Sequence, residues 1–397
     1  MYHKAEPGEK IFYKDVTSLY PYINKYGRYP VGIPKILLGK DLENRNVFNI
    51  DGIIKVDILP PKRLYHPVLG IKMHNKLIFS LCYTCTKDMN TGVCTHPAEK
   101  RFIHGTYVAD ELRLAVRKGY VVRKIYEAWE YEMTQYDKHT QEGGLFAKYI
   151  DTFLKIKTEA SGFPQHCKSE KDKRKFISDF KKHEGITLDY AQIKYKLLLN
   201  SLWGRLGMRQ DKMKKVFVKS ANHLLHLMTN PSLEVSSFVG LSDDTLLVSY
   251  KYREDCMEQN SKVNVVLAAY TTALARIHLY GYLDILQDRC FYYDTDSVIY
   301  RCAANEQDLP LGDYLGDLTD EIVGEYGEGS YISEAVFTAE KSYSFVVKVP
   351  NKEDIVICKV KGITLNHASA ELVNFNSMKI PLKAAPSTIP MIHRLGI

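Results

Sequence analysis

Residues 292–300 read Tyr-Tyr-Asp-Thr-Asp-Ser-Val-Ile-Tyr, two apolar arms around a polar tip. The pattern predicts a short hairpin that carries Asp294 and Asp296 at its turn. Two carboxylates that close raise each other's pKa unless a cation sits between them. Mg²⁺, a hard ion that takes carboxylate and phosphate oxygens, would relieve the repulsion. Taken alone, an Asp-x-Asp tip is also an ordinary turn.

A second acidic element shifts that balance. Residues 11–15 alternate, which places Ile11, Tyr13 and Asp15 on one face of a short strand. Ser18-Leu19-Tyr20-Pro21 then breaks the strand and exposes the backbone N–H groups of Ser18, Leu19 and Tyr20. Such a nest can bind phosphate, and Asp15 beside it can hold a metal that bridges phosphates. On its own this is equally a strand-terminal Asp followed by a turn. Further along, Lys196 and Asn200 are four residues apart and share a helix face that Trp203 continues. A Lys there can neutralise a triphosphate as a point charge, and it can equally snorkel from an amphipathic helix. A third cluster, Cys82-x-x-Cys85 followed by Cys94-x-His96, supplies four candidate ligands for tetrahedral Zn²⁺ in a stretch poor in core residues. The alternative is four unconnected loop residues.

The acidic and helical segments, taken together and in this order, resemble the palm and fingers motifs of family B DNA polymerases. Asp15-Val16-Thr17-Ser18-Leu19-Tyr20-Pro21 is similar to the first palm motif, Lys196 through Gly204 to the fingers motif, and Tyr293-Asp294-Thr295-Asp296-Ser297 to the third motif. Residues 153–162 resemble the segment that precedes the fingers helix in protein-primed members. Residues 263–286 resemble the palm helix before the acidic hairpin, Lys341-Ser342-Tyr343 the Lys-x-Tyr motif, and residues 358–363 the segment just C-terminal to that motif. The wording is closest to polymerases of Polinton (Maverick) elements and their viral relatives. The resemblance implies two Mg²⁺ ions on Asp15, Asp296 and the Val16 carbonyl, with Asp294 alongside. It implies nucleotide contacts at Ser18, Leu19, Tyr20, Lys157, Lys196 and Asn200, with Tyr20 rejecting a ribose 2′-OH. Lys341, Tyr343, Trp203 and Gly204 would meet primer and template. Implied partners are template-primer DNA, dNTPs and a terminal protein.

The order of elements suggests an α+β fold with a small antiparallel sheet, and the resemblance implies that this sheet is a palm with packed helices, beside helical fingers, inserted subdomains and a reduced thumb. The expected division is 1–31 for the first part of the palm, 32–140 for an insert of the protein-primed type with the zinc knuckle, irregular over 32–132, 141–210 for fingers, 211–258 for a second insert, 259–348 for the rest of the palm, and 349–397 for a thumb remnant and a tail that is irregular over 381–397. Residues 146–156 have helical spacing, 188–206 reads as a helix closed near Gly207, 263–286 reads as a long, mostly apolar helix that should be buried, the charge run 168–182 reads as a solvated helix face, and 208–252 reads as strands and hairpins with a turn at Asp243-Asp244. With only fourteen residues before Asp15, no exonuclease domain and no 3′–5′ exonuclease activity are expected, and the fingers helix reads as short.

Composition narrows the class without naming it. A net charge of +7 suits a polyanionic partner but also an ordinary basic protein. Twenty-eight tyrosines can stack on bases or fill a core, so their number decides nothing. Residues 1–10 are neither a secretory nor a transit segment, and no apolar run is long enough to span a bilayer. Eight cysteines in 397 residues do not suggest a disulfide scaffold, and a reducing compartment is expected, the nucleus or a viral or mobile-element replication site rather than a mitochondrion. Three functions compete: a two-metal DNA polymerase, a catalytically impaired remnant that only binds nucleic acid, and a zinc-stabilised interaction module. The last leaves the paired acidic motifs unexplained.

Overall fold

The computed structural model describes residues 1–397 except 91, 165–166, 191–200, 210, 258–261, 384–393 and 396–397. The chain forms two compact units, residues 1–200 with 269–397, and residues 201–268.

The first unit is organised around an eight-stranded antiparallel sheet. Its main path runs Cys290–Asp294, Ser297–Ala303, Glu9–Val16, Tyr331–Ala339, Ser342–Lys348, Ile355–Lys359. Tyr2–Lys4 pairs with Tyr331–Ala339, and Leu318–Asp320 pairs with Glu9–Val16. Glu9–Val16 is therefore central, flanked by the acidic hairpin on one edge and by Leu318–Asp320 and Tyr331–Ala339 on the other. Alternating apolar residues bury one face around Ile11, Ile299, Phe337, Tyr343, Phe345 and Val347. The long helix Val265–Leu286 belongs to this unit from Ala269 onward, where it buries Tyr270, Ala273, Leu279, Leu283 and Leu286.

Ser18 to Pro21 is not only a break. Ser18 takes the left-handed conformation (φ 53°, ψ 56°) and opens the helix Leu19–Tyr26. Pro21 is tolerated in that first turn because an N–H there has no intrahelical acceptor. The fully buried Lys25 of this helix pairs with Asp151 at 2.7 Å and with Glu184 at 3.1 Å. It thereby ties the helix to Ala147–Ser161 and Glu170–Glu184. Removing one partner from a buried charge set of this kind typically costs about 3–5 kcal/mol, so the three helices form one support. The expected charge-run helix is Glu170–Glu184, closed by a Ser169/Asp172 capping box and by Gly185 in the left-handed region. Its Phe180 and Glu184 are buried, so one face is not solvated.

The segment expected to be irregular, 32–132, is instead mostly ordered. Tyr29–Leu38, Val121–Thr134, Gly52–Leu59 and Ile103–Val108 form a four-stranded antiparallel sheet, in that order. Ile54, Val56 and Ile58 alternate inward with Ile103, and the helix Ala109–Arg117 adds Leu112 and Ala115 to the same core. The pattern is interrupted in sequence because the second hairpin, Gly70–Met73 with Lys76–Phe79, and the cysteine segment intervene between paired strands. The tail is also not wholly irregular. The helix Phe375–Lys383 packs by Phe375 and Met378 against Val336, and Arg394–Leu395 pairs with Lys76–Phe79.

The second unit holds a three-stranded antiparallel sheet, Leu233–Ser242, Thr245–Tyr252, Lys214–Val218, with the expected two-residue turn at Asp243-Asp244. The helix Ala221–Thr229, not expected from the sequence, is capped by Ser220 and contributes Leu227 to a small core with Val218, Leu233 and Val248. Of the expected helix 188–206, residues 188–190 are not helical, 191–200 lie outside the described residues, and Ser201–Leu206 is a short helix. Among the described residues no helix is long and apolar enough to cross a membrane.

Candidate active site

Strand register assembles the carboxylates. Ser297 lies opposite Asp15, and the Val16 N–H donates to the Asp296 carbonyl at 2.7 Å. The hairpin turn is tight: Thr295 has φ 53°, and the Asp296 N–H donates to the Asp294 carbonyl at 2.6 Å. Two segments far apart in the chain thus present Asp15 and Asp296 from adjacent strand ends.

The three carboxylates are not equivalent. Asp294 is engaged by protein: its Oδ1 accepts from the Thr295 hydroxyl at 3.1 Å, and the Lys341 ammonium lies 3.3 Å from its Oδ2. Among the described residues, no Lys or Arg forms an ion pair with Asp15 or Asp296. Burial, then the charges of Asp296 and Glu321, raise the Asp15 carboxyl from the ordinary 3.8 to about 7. Burial and then the Asp294 charge raise Asp296 as well. Half-buried carboxylates that resist ionisation suit a divalent cation with hard oxygen preference. Asp15 and Asp296 therefore fit a site for a divalent cation, with Asp294 beside them.

The sign of the Asp15 shift makes a stability prediction. A carboxyl raised in the fold keeps its proton where the unfolded chain has lost it, so its contribution is present below pH 4 and is lost as pH rises toward 7. In metal-free protein, the melting temperature of Asp15→Asn should exceed that of the parent by a margin that grows from pH 4 to pH 8. Thermal melts across that range check it, and a constant margin would contradict the assigned shift.

Glu321 was not found by sequence reasoning. It opens the short helix Glu321–Tyr326, capped by Asp320, directly after the strand that pairs Thr319 with Asp15. No local motif marks it, and only the topology brings its charge to the two aspartates. Arg276 was missed for the same reason. It pairs with Glu111 at 2.8 Å, and its charge reaches Tyr20.

The nest assembles around Ser18. The Lys157 ammonium, from helix Ala147–Ser161, donates to the Ser18 hydroxyl at 2.8 Å. A predicted triphosphate ligand and the predicted phosphate nest are thus in direct contact across 139 residues of chain. The Thr17 N–H donates to the Asp317 carbonyl and the Gly316 N–H to the Thr17 carbonyl, which fixes the approach to the turn. Gly316 has φ 89°, and a Cβ there would meet Tyr22 at 2.4 Å, so this close approach requires glycine. Tyr20 is half-buried in the first helical turn. Burial raises its hydroxyl pKa, the Arg276 charge opposes this, and Asp296 and Asp294 add to it.

The other predicted residues divide. Lys341 sits at the turn between Tyr331–Ala339 and Ser342–Lys348 with φ 52°, and its N–H donates to the Tyr292 hydroxyl at 3.1 Å. Tyr343, two residues on, is only 6% exposed and stacks on Phe345 with centroids 5.7 Å apart, so its ring belongs to the sheet core. Lys196 and Asn200 lie outside the described residues. Trp203 and Gly204 belong to the second unit, where the Trp203 indole N–H donates to the Ala268 carbonyl at 3.3 Å. Cys82, Cys85, Cys94 and His96 do come together, with their ligand atoms all within 4.8 Å of one another.

Known proteins share this chain's sequence family and fold. The family model described as DNA polymerase type B, organellar and viral, matches residues 1–288. A probable DNA polymerase of Podospora anserina is 25% identical over 393 residues, which cover 90% of this chain and 26% of that protein. One of Neurospora intermedia is 26% identical over 285 residues, 72% of this chain and 24% of that protein. The chain thus spans about a quarter of the length of these relatives. Phi29 DNA polymerase, solved in complex with primer-template DNA and incoming nucleotide substrates, shares the fold with a TM-score of 0.56 at 18% identity over 96% of this chain and 56% of its own. The family match over residues 1–288 makes this chain a member of the organellar and viral type B DNA polymerases.

Proposed function

We propose that this chain carries template-directed DNA synthesis, joining dNTPs to a primer 3′-OH at Asp15, Asp294 and Asp296. The observation that carries the reading is the pair Asp15 and Asp296, set at adjacent strand ends by register and ion-paired to no Lys or Arg among the described residues. Two Mg²⁺ ions bound there would lower the pKa of the attacking hydroxyl and stabilise the leaving pyrophosphate. The protein's own part is positioning and charge. Asp15 and Asp296 supply the anionic cradle, and Lys341 holds Asp294 in place. The first-turn N–H groups after Ser18, together with the Lys157 ammonium, receive the triphosphate. Tyr20 closes the sugar side, and Lys196 and Asn200 complete the fingers contacts. Template-primer DNA and dNTPs are the proposed partners. A terminal protein is a further proposed partner, on the resemblance of residues 153–162 to the segment before the fingers helix in protein-primed polymerases.

The test is extension of a labelled primer-template by purified protein with Mg²⁺ and dNTPs. Template-dependent extension supports the proposal. Tight binding of the primer-template without extension would overturn it in favour of a nucleic-acid-binding remnant.

Lys157→Ala should raise the KM for dNTP about 10-fold or more while changing kcat less, because the lost charge acts on the bound triphosphate. Steady-state kinetics at saturating DNA separate the two. An unchanged KM would show that the contact with Ser18 is only structural.

A further inference from the structure

The knuckle in the first insert makes a chemical case separate from the palm. Cys82 is the N-cap of the short helix Tyr83–Lys87, and its sulfur accepts the Cys85 N–H at 3.4 Å. The His96 Nδ1 lies 3.6 Å from the Cys82 sulfur, 3.3 Å from that of Cys85 and 3.7 Å from that of Cys94. Zn–S bonds of about 2.3 Å and a Zn–N bond of about 2.0 Å at tetrahedral angles separate sulfur from nitrogen by about 3.5 Å. One nitrogen at this distance from three sulfurs is the outline of a closed four-ligand site. An amide donor from Asn90 reaches the Cys85 sulfur at 3.8 Å, the kind of outer contact that steadies a thiolate ligand.

The surroundings show what such an ion would hold. Five residues after His96, Arg101 is buried, and its guanidinium donates to the carbonyls of Pro60 at 2.8 Å, Pro61 at 2.7 Å and Leu81 at 3.2 Å. The Thr84 hydroxyl donates to the Lys100 carbonyl at 2.6 Å. The Arg101 clamp thus joins the end of strand Gly52–Leu59 to the residue before Cys82. Little apolar burial supports the loop that leads to it, for Val93 is 90% exposed and Met89 is 68% exposed.

We infer that Cys82, Cys85, Cys94 and His96 bind one structural Zn²⁺ that holds the Arg101 clamp in place and so orders the insert. The site is closed, with four protein ligands and none left for substrate, so its role is structural and does not depend on polymerase activity.

Elemental analysis of the full chain, purified in reducing buffer without added metal, should find about one zinc per chain and no iron. Cys94→Ser, at an exposed position that leaves packing intact, and the buried Cys85→Ser should each retain less than about a tenth of that zinc. Replacement by Co²⁺ should give the intense visible bands of a tetrahedral thiolate site. Chelation should speed amide exchange in residues 82–101 about 10-fold or more while the hairpin 290–300 stays protected. Zinc retained by both variants, iron in its place, or a reducible disulfide among Cys82, Cys85 and Cys94 would overturn the inference. So would unchanged exchange after the metal is removed.

Discussion

Asp296→Ala is expected to cut primer extension by about 10³-fold or more, and Asp15→Ala to do the same, with little loss of folding. The asymmetry between activity and folding reflects where the two side chains get their support. The Asp296 backbone is held by its own N–H to the Asp294 carbonyl and by the Val16 N–H to its carbonyl, and neither bond uses the carboxylate. The carboxylates of Asp15 and Asp296 resist ionisation in the fold, so their removal relieves rather than breaks an interaction. Asp294 differs, because Lys341 and Thr295 already engage it. Asp294→Ala should therefore release Lys341 and lower the melting temperature more than the other two. Primer extension and thermal melts on the three variants check this pattern. Near-normal extension by Asp15→Ala or Asp296→Ala would remove the proposed metal site.

Tyr20→Ala is expected to relax sugar selection, lowering the preference for dNTP over rNTP in kcat/KM by about 100-fold. Tyr20 comes two residues after the left-handed Ser18, at the point where the nest becomes helix, and its hydroxyl lies within the fields of Asp294, Asp296 and Arg276. A sugar whose triphosphate rests on Ser18 and Lys157 would lie over that ring. Deleting the ring opens room for a 2′-OH, whereas Tyr20→Phe keeps the bulk and should keep the preference. Competition between the two nucleotide types at one template position measures the ratio. An unchanged ratio in active Tyr20→Ala would sink the steric role.

How far the sequence could be read depended on the range of the interactions involved. Asp15, Asp294 and Asp296 were legible because each sits in a short pattern of its own, an alternating strand end and an acidic tip between apolar arms. The cysteine knuckle was legible because ligand spacing is local. Long helices were legible as well, since Ala147–Ser161 repeats one face over several turns and Val265–Leu286 is a long run that is apolar nearly all round. The insert sheet was missed because Gly52–Leu59 pairs with Ile103–Val108 and Val121–Thr134 across the hairpin and knuckle between them, so the strands never form a contiguous pattern.

What the sequence determined by itself is local: the short elements that carry the candidate carboxylates, thiols and lysines. The tertiary structure alone decided which of them meet. Strand register set Asp15 beside Asp296, and the buried Lys25 charge set bound three helices so that Lys157 reaches Ser18. It also brought in Glu321, which no motif announces, and it turned Tyr343 into the core. The physical reason is that pairing between distant strands and burial of charge depend on the whole packed arrangement, whereas turn chemistry and periodicity are written within a few residues.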